Sequence, residues 1–357
     1  MYSGNVYRDS GILTQTMHIL HNTATILRRY PVTGDLCAVR MVGLKTRALV
    51  LAGALFASVA LSAQLPPAPL PSAAASDAAL SAAQRLMDAG QFDRAAAMLS
   101  DFVVAQPKSA VAHQMLGYLY LRLDDPRRSL EEYTRAAAIA SPSAIDLQNV
   151  AKDYVLLGDT ASAGHWLTVS LQRNDRDPET WYSLGRIRYT EQHFQEAADC
   201  FQRSLALLPR SVKAENNLGL SYEGLNRTDD AVAAYRQAIA WQQDQPHRSE
   251  QPLLNLGIIL VHQGKLEEAR KLLTEAVALA PHDPRIHEQL GHLYLQIPML
   301  AEAQLQFEEA IRLEPKNPAL HFLLGKVYHQ QGQEQKAKAE FAASATLSGD
   351  HSTPDKF

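Results

Sequence analysis

Cysteine is nearly absent from this 357-residue chain: it occurs twice, as Cys37 and Cys200. Two isolated thiols make neither a disulfide framework nor a zinc spacing, so neither device organises the fold. Aromatic residues are also sparse, at 7%, and no Lys/Arg cluster occurs. The net charge of -4 hides an asymmetry. Residues 1–63 carry six basic side chains (Arg8, Arg28, Arg29, Arg40, Lys45, Arg47) against Asp9 and Asp35. Removing those from the 34 basic and 38 acidic residues of the whole chain leaves a body of net charge -8. An acidic body argues against nucleic acid as the partner. The apolar run from Ala48 to Leu61 has about 14 residues, short of the roughly 20 that span a bilayer. What is present is 46% hydrophobic and 20% charged residues, enough for a core under a soluble surface.

That short run has the order of an address. Lys45 and Arg47 precede it, and the small residues Ala60, Ser62 and Ala63 follow as a cleavage site. Residues 41–63 therefore read as a secretory signal peptide; the alternative is an uncleaved N-terminal anchor. No Cys ends the run, so lipid attachment there is not implied. Either way the body is exported, to a periplasm or outside the cell, and membrane contact is expected only if the segment is uncleaved. Residues 1–40 show no sustained periodicity and read as an upstream over-call, with Met41 the real start, or as a disordered extension. Residues 64–75, QLPPAPLPSAAA, read as an extended Pro/Ala-rich spacer. The tail at 352–357 is expected to be disordered.

From residue 76 to 351 a 34-residue frame repeats eight times, starting at Ser76, Ala110, Ala144, Pro178, Val212, Glu250, Pro284 and Pro318. Its eighth position is small throughout: Ala83, Gly117, Ala151, Gly185, Gly219, Gly257, Gly291, Gly325. Position 20 is Ala in seven repeats and Ser129 in the second. Position 24 supplies a large knob: Leu99, Tyr133, Leu167, Phe201, Tyr235, Leu273, Phe307, Phe341. Small and large residues four apart on a helical face predict two helices packed closely in each repeat. Asp177-Pro178, Asp283-Pro284 and Asn317-Pro318 predict helix starts. Gly90, Gly158, Gly264, Gly332 and Asn226 predict left-handed turns within repeats. The fifth repeat carries four extra residues around Gln242 to Gln251.

The fourth unit, with Trp181, Leu184, Gly185, Ala197, Phe201 and Pro209, resembles the tetratricopeptide repeat, W-x2-L-G-x2-Y…A-x3-F…P over 34 residues. Arg188 departs from it by standing where Tyr is usual. The resemblance implies an all-α, right-handed superhelical solenoid of paired antiparallel helices, with the first helix of each pair lining a concave groove. It also implies that positions 2, 5, 6, 9, 12 and 13 of the first helix face that groove. Mapped onto this sequence, the middle of the groove shows Gln148, Lys152, Tyr182, Arg186, Tyr189, Lys213, Asn216 and Asn217. Amide, cationic and aromatic groups together suit an extended peptide with acidic or terminal carboxylate groups; ordinary solvated helix positions are the plain alternative. The Lys/Asn constellation of the carboxylate-gripping sub-family does not occur.

Other chemistry-bearing residues favour plain explanations. In HEQLGH, His287 and His292 are five apart and diverge by about 140° on a helix, so no metal is expected. His287 takes the slot of Trp181. Cys200, between Ala197 and Phe201, reads as a buried inert thiol. His113, His321 and His329 form no triad with a nucleophile. Asn226-Arg227-Thr228 is a weak glycosylation match. The expectation is an exported, non-catalytic scaffold without cofactors, docking a protein or peptide in the groove. The alternatives are an accessory subunit of an envelope enzyme or of a polysaccharide or secretion assembly, and a self-assembling structural subunit. Carbohydrate would call for stacked aromatics, for which Tyr118, Tyr182, Tyr189 and Phe322 are the candidates.

Overall fold

The computed structural model describes residues 73–349. Within them lie sixteen helices joined by turns, with no strand among the described residues. The chain divides into two units, one ending at Leu157 and the other beginning at Gly158. The first holds α1 (Ala73–Asp88), α2 (Phe92–Ala105), α3 (Ala110–Arg122), α4 (Pro126–Ile139) and α5 (Ala144–Leu156). The second opens with α6 (Thr160–Arg173), α7 (Pro178–Thr190), α8 (Phe194–Leu207) and α9 (Val212–Gly224). It continues through α10 (Thr228–Gln242), α11 (Gln251–His262), α12 (Leu266–Leu279) and α13 (Pro284–Gln296). It closes with α14 (Leu300–Leu313), α15 (Pro318–Gln330) and α16 (Glu334–Ser348). The expected leader at 41–63, the extension before it, residues 64–72 of the spacer and the tail lie outside the described residues. No described helix is long and apolar enough to cross a membrane.

Six frame positions, Ala110, Ala144, Pro178, Val212, Pro284 and Pro318, are the first residues of their helices. The expected spacer end differs: Ala73 to Ala75 are already helical in α1. Alanine has the highest helix propensity, so the three continue the helix backwards. The Pro-linked starts are capped as the sequence predicts. Asp177, Asp283 and Asn317 accept from the backbone N–H of Thr180 (2.9 Å), Arg285 (3.0 Å) and Ala319 (3.1 Å). Ser143 and Asp146 form a reciprocal capping box at the start of α5.

The turn inside each repeat also follows the frame. Position 15 has positive φ at Gly90, Asp124, Gly158, Gln192, Asn226, Gly264 and Gly332. Asp124 and Gln192 hold the left-handed conformation without being glycine or asparagine, and sequence reasoning missed both. Their signal was the register, not the residue type. Pro298 stands there in the seventh repeat, where its ring forbids positive φ. That turn still keeps the i→i−5 bond of its siblings, Met299 N donating to Tyr294 O at 2.8 Å.

The core follows from positions 8, 20 and 24. Ala95, Ser129, Ala163, Ala197, Ala231, Ala269 and Ala303 are fully buried, as are the knobs Leu99, Phe201, Tyr235, Leu273 and Phe307. A Cβ on Gly185 would stand 2.7 Å from Phe201, and one on Gly219 2.5 Å from Tyr235. Where position 8 is Ala83, the knob is the smaller Leu99. Helix pairs thus close to a distance set by a missing methyl group.

Four of the repeats are tied to the one before by a ring at position 4. Trp181 Nε1 donates to the Asp175 carbonyl at 2.8 Å. His113, His287 and His321 each direct Nε2 to the carbonyl six residues upstream, at Pro107, Pro281 and Pro315 (3.1, 3.0 and 3.2 Å). Their Nδ1 atoms reach Glu132, Gln306 and Glu340 on the second helix of the same repeat. Tryptophan and histidine share this slot because each offers a flat ring with a nitrogen at its rim. In α16, the last described helix, Ala337 alone is fully buried, so the second unit ends on a helix that faces water.

Candidate functional site

The first helices of the second unit are α7, α9, α11, α13 and α15. Residues one repeat apart meet across them. Lys213 Nζ, at position 2 of α9, lies 2.6 Å from Glu179 of α7 and 4.5 Å from the Tyr182 ring centroid. Asn217 Nδ2 donates to Tyr182 Oη at 3.2 Å and to the Lys213 carbonyl at 2.7 Å. Between α9 and α11, Asn255 Nδ2 donates to Asn216 Oδ1 at 3.0 Å. The partners are 34, 35 and 39 residues apart. The last spacing is the 35-residue one, from position 5 to position 6 of the next repeat, lengthened by the four-residue insertion. These bonds join α7, α9 and α11 into one continuous face.

Tyr182, Lys213, Asn216 and Asn217 therefore come together with the unforeseen partners Glu179 and Asn255. Arg186 is exposed on α7. Tyr189 stacks edge-on against Phe194, with ring centroids 5.4 Å apart. Asn216 is 7% exposed, and its amide ties helices together instead of facing solvent. Gln148 and Lys152 lie on α5, in the other unit; Lys152 Nζ donates to Asn149 Oδ1 at 3.3 Å. Lys213, the cation best placed for an acidic ligand, already has its charge met by Glu179.

The same face holds Glu223, near the end of α9, which sequence reasoning passed over. Its carboxylate accepts from the buried hydroxyl of Tyr235. Burial raises its pKa above the usual carboxylate range, against that hydrogen bond and the nearby His262, which lower it. Tyr189 interacts with it electrostatically from α7.

Elsewhere the chemistry-bearing residues have structural roles. Arg188, in the usual Tyr position, bonds Glu191 (2.8 Å) and lies 3.1 Å from Glu196. With Trp181, Leu171 and Leu184 it walls an open pocket of about 490 Å³ beside Cys200. Cys200 is buried, and burial pushes its thiol up to about 11. Both ring nitrogens of His287 are engaged, whereas His292 leans on Phe307 and Glu288. Gln242 is 2% exposed and clips the inserted loop: Nε2 donates to Ser249 O at 3.0 Å, and Ser249 N donates to Oε1 at 2.9 Å.

Tetratricopeptide-repeat family models match residues 80–145 and 182–246, 224–293 and 318–351, and a TPR-repeat model matches 300–332. The peroxisomal targeting signal receptor of Kluyveromyces lactis is 28% identical over 148 residues, 42% of this chain and 24% of that protein. The chain thus spans about a quarter of that relative's length. Among solved structures, the C-terminal part of a TPR repeat-containing protein from Cytophaga hutchinsonii aligns over 69% of this chain and 99% of its own. The TM-score is 0.55 and the identity 12%. PilW, a type IV pilus biogenesis factor, covers 60% of this chain and 96% of its own, with a TM-score of 0.53 and 23% identity. Both likenesses are of fold. The helix pairs in 34-residue register, the small-residue and knob positions, and these matches lead to one conclusion: the chain belongs to the tetratricopeptide-repeat family.

Proposed function

We propose that the chain is a non-catalytic scaffold that docks an extended protein segment on the first-helix face of its second unit. The observation that carries this is the joined patch of Tyr182, Lys213, Glu179 and Asn217 across α7 and α9. It presents an aromatic ring, an ion pair and an amide to solvent from rigid helices, with no disordered loop to organise first. An extended segment crossing successive helices would meet equivalent registers every repeat. Residues 41–63 support export of the body, with the mature chain starting at Gln64.

Two experiments test this reading. The purified chain is immobilised and compared with a Tyr182→Ala, Arg186→Ala, Asn217→Ala variant of unchanged circular dichroism. Loss of a captured partner in the variant is the expected result; equal capture moves the site off this face. Mass spectrometry of the protein recovered from its native cell should give an N-terminus at Gln64. A peptide from residues 1–63 on the mature protein would contradict cleavage.

A further inference from the structure

Position 12 of the second unit's first helices is Tyr189 in α7, Val261 in α11 and Leu295 in α13, and it is polar at His329 in α15. In α9 the same position is Glu223, a half-buried carboxylate between the apolar Tyr189 and Val261 in repeat order. The groups that face it are the Tyr235 hydroxyl from α10, His262 from α11 and Tyr189 from α7. None of the ion pairs among the described residues includes it. Satisfying the tyrosine does not require a charge. Tyr133, at the same knob register, is served by the neutral amide of Asn149 at 2.9 Å. Phe201 and Phe307 need no partner there at all. That leaves a half-buried carboxylate whose ionised form is supported by the Tyr235 hydroxyl and His262 but by no Lys or Arg side chain among the described residues. Beside it, the half-buried Leu220 and Ile258 offer an apolar floor at position 9.

We infer that Glu223 anchors a lysine or arginine side chain of an extended protein segment lying across α7, α9 and α11. The inference rests on the docking reading above and adds a negative subsite to the acidic-ligand expectation of the sequence. Lys213 is neutralised by Glu179, which leaves Glu223 as a carboxylate of this face outside the ion pairs of the described residues, alongside the exposed cation Arg186 on α7. The aliphatic stem of a basic residue packs on Leu220 and Ile258 while its head reaches the carboxylate. Desolvated on one side, that pair is stronger than a rim ion pair.

The test is a displayed library of random peptides of about twelve residues, selected on the full chain. Selected peptides are then measured against Glu223→Gln and Lys326→Ala chains. Glutamine still accepts from Tyr235, and thermal unfolding checks that both variants are folded. The expected result is enrichment of Lys and Arg, with affinity falling about ten-fold or more in Glu223→Gln and unchanged in Lys326→Ala. Acidic binders that depend on Arg186 and not on Glu223 overturn the charge assignment while leaving the face as the site. Binders indifferent to Glu223→Gln and to Tyr182→Ala overturn both. Failure to select any binder overturns the inference, and the capture experiment then decides the docking reading by itself.

Discussion

Gly185 and Phe201 show how one missing methyl group sets a helix–helix distance. A Cβ at residue 185 would lie 2.7 Å from the Phe201 ring, closer than any relaxed contact. Gly185→Ala should therefore cost about 1–3 kcal/mol by overpacking. Ala83 opposite Leu99 in the first repeat shows the compensating choice. Combining Gly185→Ala with Phe201→Leu should destabilise less than the two changes summed, a coupling of about 1 kcal/mol in urea titrations. Strict additivity would mean the ring is not the obstacle. Asp153 makes a second residue-scale case. It is fully buried at position 10, where Leu119, Ile187, Ile259, Leu293 and Val327 stand in other repeats. Its Oδ2 accepts from Ser129 Oγ at 2.6 Å, while Oδ1 has no partner. Burial pushes its carboxyl up to about 7, against the lowering effect of Ser129. The native state holds this proton more tightly than the unfolded chain does. Its contribution is thus fully present below about pH 4 and is lost as pH rises through about 7. Asp153→Asn should remove that loss. Between pH 4.5 and 8 the variant should gain on the parent by on the order of 2 kcal/mol. Parallel pH profiles would contradict the assignment.

At the scale of the element, turns and caps were legible wherever the residue type advertises its conformation. Gly90, Gly264, Gly332 and Asn226 announce positive φ, and Asp177-Pro178 announces a helix start. Gln192 announces nothing; it adopts φ 62° because the turn of its repeat demands it. A left-handed residue with a side chain costs about 1 kcal/mol. Gln192→Gly should therefore raise stability by about 0.5–1 kcal/mol, read as a higher urea midpoint. The four-residue insertion was visible as a break in the 34-residue count, but its closure was not. Gln242 pins it by mimicking a backbone partner for Ser249, a contact that only the folded turn creates. Gln242→Ala should release this loop and speed limited tryptic cleavage after Arg248, which otherwise pairs with Glu275 at 2.6 Å. An unchanged cleavage rate would mean the Arg248 pair alone holds the loop.

At the scale of the whole molecule, repetition made the fold readable and the site only half so. Eight registers agreeing at three positions predicted the paired helices before any coordinate. The groove residues were predicted one helix at a time, so their lateral partners went unseen. Lys213 reads as a free cation until Glu179, one repeat earlier, is placed beside it. Asn216 reads as a groove amide until the insertion is counted and Asn255 falls opposite. Glu223 reads as a solvated acid until the Tyr235 hydroxyl is placed against it. The period itself held this information, in residues 34 to 39 apart. The most direct measurement of the central claim is amide hydrogen exchange on the full chain, with and without a saturating selected peptide. The account predicts new protection in α7, α9 and α11, centred on residues 179–189, 213–223 and 254–262. Protection confined to α8, α10 and α12, or to the loop at 243–250, would contradict it.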